Sequence, residues 1–96
     1  MLVLAIHTHP SEKCPGRSPE GMRQMFELLS EEHAKKAGVE IVGCYMNCQT
    51  PTTPVIHEGY FIVEAPTVQA VSQFLSPLEV KAGQVWDMRE QMKKMM

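Results

Sequence analysis

The order of the predicted secondary-structure segments constrains the fold of this chain more than any other feature. Prolines, glycines and serines divide the chain into segments with the apolar spacing of strands or of helices. The predicted strands are residues 2–9, 39–48, 56–64 and 80–88, the predicted helices are residues 18–38 and 65–75, and a proline-containing loop is predicted at 49–54. The order strand, helix, strand, strand, helix, strand predicts an α+β domain.

The first helix has clear start and stop signals. Ser18 is suited to the N-cap, Pro19 to the first helical position, and Gly38 to the residue that ends the helix. Apolar residues at helical spacing between these signals predict one buried face, formed by Met22, Met25, Phe26, Leu29 and His33.

The β-α-β-β-α-β order is typical of a ferredoxin-like fold, with an antiparallel four-stranded sheet and two helices on one face. Strands 2–9 and 56–64 carry apolar residues on both faces, so the helix-free face needs a cover. We therefore expect a homodimer in which two sheets pair as a dimeric α+β barrel. Residues 1–88 are predicted to form the single domain, and residues 89–96 a polar, methionine-containing tail.

Composition excludes several classes of partner. The chain has 96 residues and a formal net charge of −2, and its lysines and arginines never cluster beyond a pair, so no nucleic-acid surface is expected. No apolar run approaches the roughly 20 residues of a membrane span, and a signal-peptide pattern is lacking. With an odd count of three cysteines, we expect a cytoplasmic protein with free or metal-bound thiols. No nucleotide or flavin fingerprint is visible.

The stretch after the first strand carries the candidate chemistry. His7 and His9 lie two apart on a predicted strand, so their rings project from one face, and Cys14 follows in the next loop. His57 begins the third strand, which should reach the same edge of the sheet. Imidazole and thiolate ligands suit zinc, copper, nickel or iron. The sequence therefore predicts a transition-metal site formed by His7, His9, Cys14 and His57.

The completion of this site stays open at the sequence level. Cys48, Glu58 or Asp87 are alternative contributors, while Cys44 is predicted to be a small core residue. A second hypothesis is a metal-free site, in which His7 or His9 transfers a proton on a small molecule in a pocket. A third hypothesis is a module that binds a small ligand without catalysis.

In element order, residues 2–88 resemble the dimeric α+β barrel superfamily. That superfamily includes small monooxygenases, muconolactone-isomerase-like proteins and small nickel-binding domains. The resemblance rests on topology and on a histidine at the end of a strand, so it implies the fold and the dimer and assigns no catalytic residue.

Overall fold

The computed structural model describes residues 1–50 and 52–96 as an α+β domain with one antiparallel sheet. The strands are β1 (Leu2–Pro10), β2 (Glu40–Met46), β3 (Ile56–Glu64) and β4 (Val80–Gln84), in the order β2-β3-β1-β4. The α-helices are α1 (Pro19–Leu28), α2 (Glu31–Ala37), α3 (Val68–Phe74) and α4 (Met88–Met95), and short 3-10 turns span Ser11–Lys13 and Pro15–Arg17. The predicted class and antiparallel four-stranded sheet are confirmed. Of the predicted loop 49–54, residue 51 lies outside the described residues.

The core lies between one face of the sheet and the helices. Val3 pairs with Val63 and Ala5 with Phe61 across β1 and β3, and all four side chains are buried. They pack with buried residues of the helices and their flanks, namely Leu28, Ala34, Val39, Val71, Phe74 and Leu75. The odd-numbered positions of β1 and β3 therefore face the helices, and this face continues into His7, His9 and His57.

The predicted helix 18–38 is two helices. Ser18 caps α1 and Gly38 ends α2 with φ 73°, as predicted. The chain breaks at Ser30, whose hydroxyl donates to the Glu27 carbonyl at 2.9 Å and accepts from the His33 amide at 3.2 Å. Serine competes for backbone hydrogen bonds inside a helix and is favoured as an N-cap, so it starts a second helix instead.

One side of α1 lies away from the core. Met22 is 44% exposed and Phe26 is 72% exposed, so the prediction that they pack in the core is wrong. Periodicity identifies an apolar face of a helix, but it does not show that another element covers that face.

The opposite face of the sheet carries no helix in the described part of the chain. Leu4 and Ile6 of β1 lie beside Ile62 and Tyr60 of β3 on this face, and each keeps part of its surface accessible. Among the described residues, none of the helices has the length and apolar character needed to cross a membrane.

Candidate metal centre

Two histidines meet at the edge of the sheet where β1 ends and β3 begins. His9 pairs with His57 in the antiparallel register, and both side chains lie on the face that bears the helices. His57 is fully buried, whereas His9 keeps part of its surface accessible. Directly paired side chains on neighbouring strands lie about 5 Å apart at Cβ, so the sheet itself holds the two imidazoles together.

A short loop brings Cys14 back to these histidines. The Ser11 amide donates to the Val55 carbonyl at 2.7 Å, which ties the start of the loop to the residue before β3. Arg17 Nε donates to the Ser11 carbonyl at 2.6 Å and closes the loop. Cys14 lies between the two 3-10 turns, and its Sγ accepts from the Gly16 amide at 3.4 Å.

His9, Cys14 and His57 form a group whose ligand atoms all lie within 4.8 Å of one another. His9 Nε2 and His57 Nδ1 are 3.2 Å apart. Two nitrogens bound tetrahedrally to one zinc ion at 2.0–2.1 Å lie roughly 3.3 Å apart. The spacing of the two imidazoles therefore matches a shared ion without movement of the strands.

The second ring nitrogen of His57 has no partner. Its Nε2 is buried and makes no hydrogen bond to any described residue. An unsatisfied buried polar atom costs about 1–3 kcal/mol, and native proteins retain few of them. The nitrogen of His57 that faces His9 is Nδ1, so an ion shared with His9 would be bound by Nδ1 and would leave Nε2 without a partner.

His7 lies beside the group and fixes the orientation of His9. Its Nδ1 is 2.9 Å from the Glu79 carbonyl, and because a carbonyl only accepts, this nitrogen carries the hydrogen. In the neutral ring Nε2 then accepts from His9 Nδ1, which is 3.0 Å away. His9 Nε2 is left with its lone pair directed towards His57. A hydrogen bond to the remote nitrogen is how proteins orient metal-binding histidines.

Cys48 is the alternative ligand that lies near Cys14. Asn47 and Glu58 exchange backbone and side-chain hydrogen bonds at 3.1 and 2.7 Å, which continues the β2–β3 pairing and brings Cys48 towards His57. Burial, followed by the nearby Cys14 thiol, raises the pKa of Cys48. Cys48 therefore adjoins the group and remains an alternative fourth ligand.

The two carboxylates are engaged elsewhere. Glu58 accepts from the Tyr60 hydroxyl at 3.1 Å, and Asp87 caps α4 by accepting from the Arg89 and Glu90 amides at 2.9 and 3.2 Å. Cys44 is exposed, so its predicted place in the core is wrong. Its side chain faces the part of the sheet that α1 leaves uncovered.

A cleft opens beside the metal centre. It has a volume of about 750 Å³, and His9 and Cys14 lie at its border. Met22, Met25 and Phe26 of α1 form part of its wall, and Cys44, Met46 and Phe61 line it from the sheet. Sequence periodicity assigned the α1 residues to the core, since a core and a cleft wall both use apolar side chains.

Comparisons with family profiles, curated proteins and solved structures find no match to this chain.

The metal-free protein is expected to lose stability as the pH falls below about 6.5. Burial, followed by the imidazoles of His7 and His57, lowers the pKa of His9 from its ordinary value of 6.5. The unfolded chain then binds this proton more readily than the folded chain, so protonation favours unfolding between the two pKa values. Thermal unfolding of metal-free wild type and His9→Asn should show a weaker decline in the variant between about pH 7.5 and 5. Equal declines would contradict this prediction.

Proposed function

We propose that this protein binds one transition-metal ion through His9, Cys14 and His57. The observation that carries the proposal is the convergence of two imidazoles and a thiol within 4.8 Å. They come from the end of one strand, the start of its neighbour and an intervening loop. Zinc is the first choice, because it accepts mixed nitrogen and sulfur ligands in tetrahedral geometry, and copper, nickel and iron are the alternatives.

In this proposal His7 positions His9 and does not bind the ion. Both of its ring nitrogens already have partners, the Glu79 carbonyl and His9 Nδ1. Three protein ligands leave a fourth coordination position, and because His9 and Cys14 both line the cleft, a molecule in the cleft would be able to reach it. An open position of this kind distinguishes metal sites that bind small molecules from closed structural sites.

A metal-free proton-transfer site is the second candidate. The hydrogen-bonded row Glu79 carbonyl, His7, His9 and His57 supports it, because the row fixes the tautomers of His7 and His9 and joins the lone pair of His9 Nε2 to His57 Nδ1. General base catalysis uses an imidazole in this arrangement.

Metal content separates the two candidates. Untagged protein, stripped with a chelator and then dialysed against excess zinc or cobalt(II), is expected to retain one equivalent of metal by elemental analysis. The cobalt form should show a thiolate-to-cobalt charge-transfer band, since Cys14 supplies a sulfur ligand. Retention of far less than one equivalent of zinc, cobalt, copper, nickel or iron would reject the metal proposal and favour the proton-transfer site.

We also infer a homodimer that pairs the helix-free faces of two sheets. Leu4, Ile6 and Ile62 lie on this face, and Met88, Met92 and Met95 of α4 are 75%, 54% and 84% exposed. Apolar residues on a sheet face that no described helix covers, and exposed methionines on a helix, are typical of an interface between subunits. Sedimentation is expected to give twice the 10.8 kDa of the chain, and Ile6→Glu should give a monomer of unchanged metal content. A wild-type monomer at micromolar concentration would contradict the dimer.

A further inference from the structure

We infer that the cleft beside the metal centre binds a small apolar molecule that carries a single anionic, metal-coordinating head group. This inference rests on the proposed function, because the metal ion supplies the attachment point for the head group. It goes further by assigning a chemical class of ligand to the site.

The volume and the lining of the cleft indicate an apolar ligand body. A volume of about 750 Å³ lies within the range of roughly 300–1,000 Å³ that is usual for small-molecule sites. Its apolar lining includes Met22, Met25, Phe26, Met46 and Phe61. Exposed apolar side chains that line a concave surface gain free energy when a ligand removes them from water.

The charges around the cleft exclude a highly charged ligand body. Lysine and arginine are absent from the described residues that line the cleft, and its one acidic residue is Glu58. The Glu58 carboxylate accepts from the Tyr60 hydroxyl, and both residues occupy the even-numbered positions of β3 that face away from the helices. A charged group on the ligand body would therefore lose its hydration without gaining an ion pair.

The charge of the three protein ligands determines which charge on the head group is favoured. A divalent ion bound by one thiolate and two neutral imidazoles retains one positive charge. A monoanionic oxygen or sulfur donor neutralises that charge in a partly water-excluded site. His9 and Cys14 both line the cleft. A ligand whose donor atom takes the fourth coordination position can therefore place its apolar body along the wall of the cleft.

Gly59, which pairs with His7 across β1 and β3, offers a way to narrow the cleft without replacing a proposed metal ligand. It lines the cleft between His57 and Phe61 on β3. A Cβ placed there would meet the Phe61 ring at 3.5 Å and the Tyr45 carbonyl at 4.0 Å, which are ordinary contact distances. The added methyl group in Gly59→Ala should therefore be tolerated by the strand and reduce the space available to a ligand.

The test is calorimetric titration of zinc-loaded protein with acetohydroxamate and octanohydroxamate. These probes share a monoanionic chelating head and differ by six methylenes. Each fully buried methylene contributes roughly fourfold in affinity, and in an open cleft we expect octanohydroxamate to bind at least about 50-fold more tightly. Phe26→Gln should remove most of this difference and Gly59→Ala part of it, while both variants retain one equivalent of zinc and Phe26→Gln keeps wild-type affinity for acetohydroxamate.

The outcomes separate this inference from the proposed function. If the protein retains zinc but binds the two probes with equal affinity, the inference of an apolar ligand is wrong and the proposed metal site stands. Equal octanohydroxamate affinity in zinc-loaded and metal-free protein would overturn the role of the metal in holding the head group. Failure to retain zinc would reject the proposed function, and the inference with it.

Discussion

Single replacement of His9, Cys14 or His57 is expected to lower zinc affinity by about 100-fold or more, since loss of a group that only orients a ligand already costs roughly 10–100-fold. The variants His9→Ala, Cys14→Ser and His57→Asn each remove one donor from the group whose atoms lie within 4.8 Å. Competition against a chromophoric chelator measures the affinities, and circular dichroism establishes that each variant is folded.

Matched controls test whether the loss is specific. Cys44→Ser removes an exposed thiol of the same cleft, and His33→Gln removes an imidazole that instead contacts the Leu28 carbonyl and the Phe74 ring. Both should keep wild-type affinity. His7→Gln should weaken binding by roughly tenfold, as expected for an orienting group. Cys48→Ser should change affinity little if three residues hold the ion. Wild-type affinity in Cys14→Ser would reject the site.

Gly21→Ala is expected to destabilise the protein by about 1–3 kcal/mol, because it forces a methyl group into a closely packed position. A Cβ on Gly21 would lie 2.5 Å from the Pro15 carbonyl oxygen, so α1 or the turn at Pro15–Arg17 must move. Pro15 directly follows Cys14, and the movement should displace the thiol as well. We therefore expect a lower unfolding temperature and weaker metal binding, although no ligand is removed.

Gly83→Ala is the matched control for this steric effect. A Cβ on Gly83, in β4, would meet no atom within 4 Å, so unfolding temperature and zinc affinity should stay near their wild-type values. Thermal unfolding and zinc titration of both variants measure the difference. Equal behaviour of the two variants would show that contact between α1 and Pro15 does not position Cys14.

The sequence predicted the local features of the fold well. Strand β3 has the predicted bounds, Ile56–Glu64, and the capping roles of Ser18 and Gly38 follow from side-chain and backbone preferences that act within one turn. It also identified His9, Cys14 and His57 as candidates. Few residue types bind metals, and the apolar pattern of the sequence shows that these residues lie at the ends of predicted strands.

The sequence left open which candidates meet. Pairing of β1 with β3 places His57 directly opposite His9, and the contact with the Glu79 carbonyl makes His7 a neighbour of the group. These relations join positions 48 and 72 residues apart. They depend on the register of β1 against β3 and on the position of Glu79, directly before β4. The propensities of residues within a short segment do not determine either of them.

The sequence by itself determined the presence and chain order of the four strands, the antiparallel α+β class and the set of metal-binding residue types. Only the tertiary structure decided that Ser30 splits the first helix, that Met22 and Phe26 line a cleft, and that Cys44 is exposed. An apolar stripe on a helix is the same pattern whether it packs on a sheet or borders a cavity. Whether the stripe is buried or borders a cavity depends on the orientation of α1, which the preceding loop and the break at Ser30 determine. That orientation results from contacts between residues far apart in the chain.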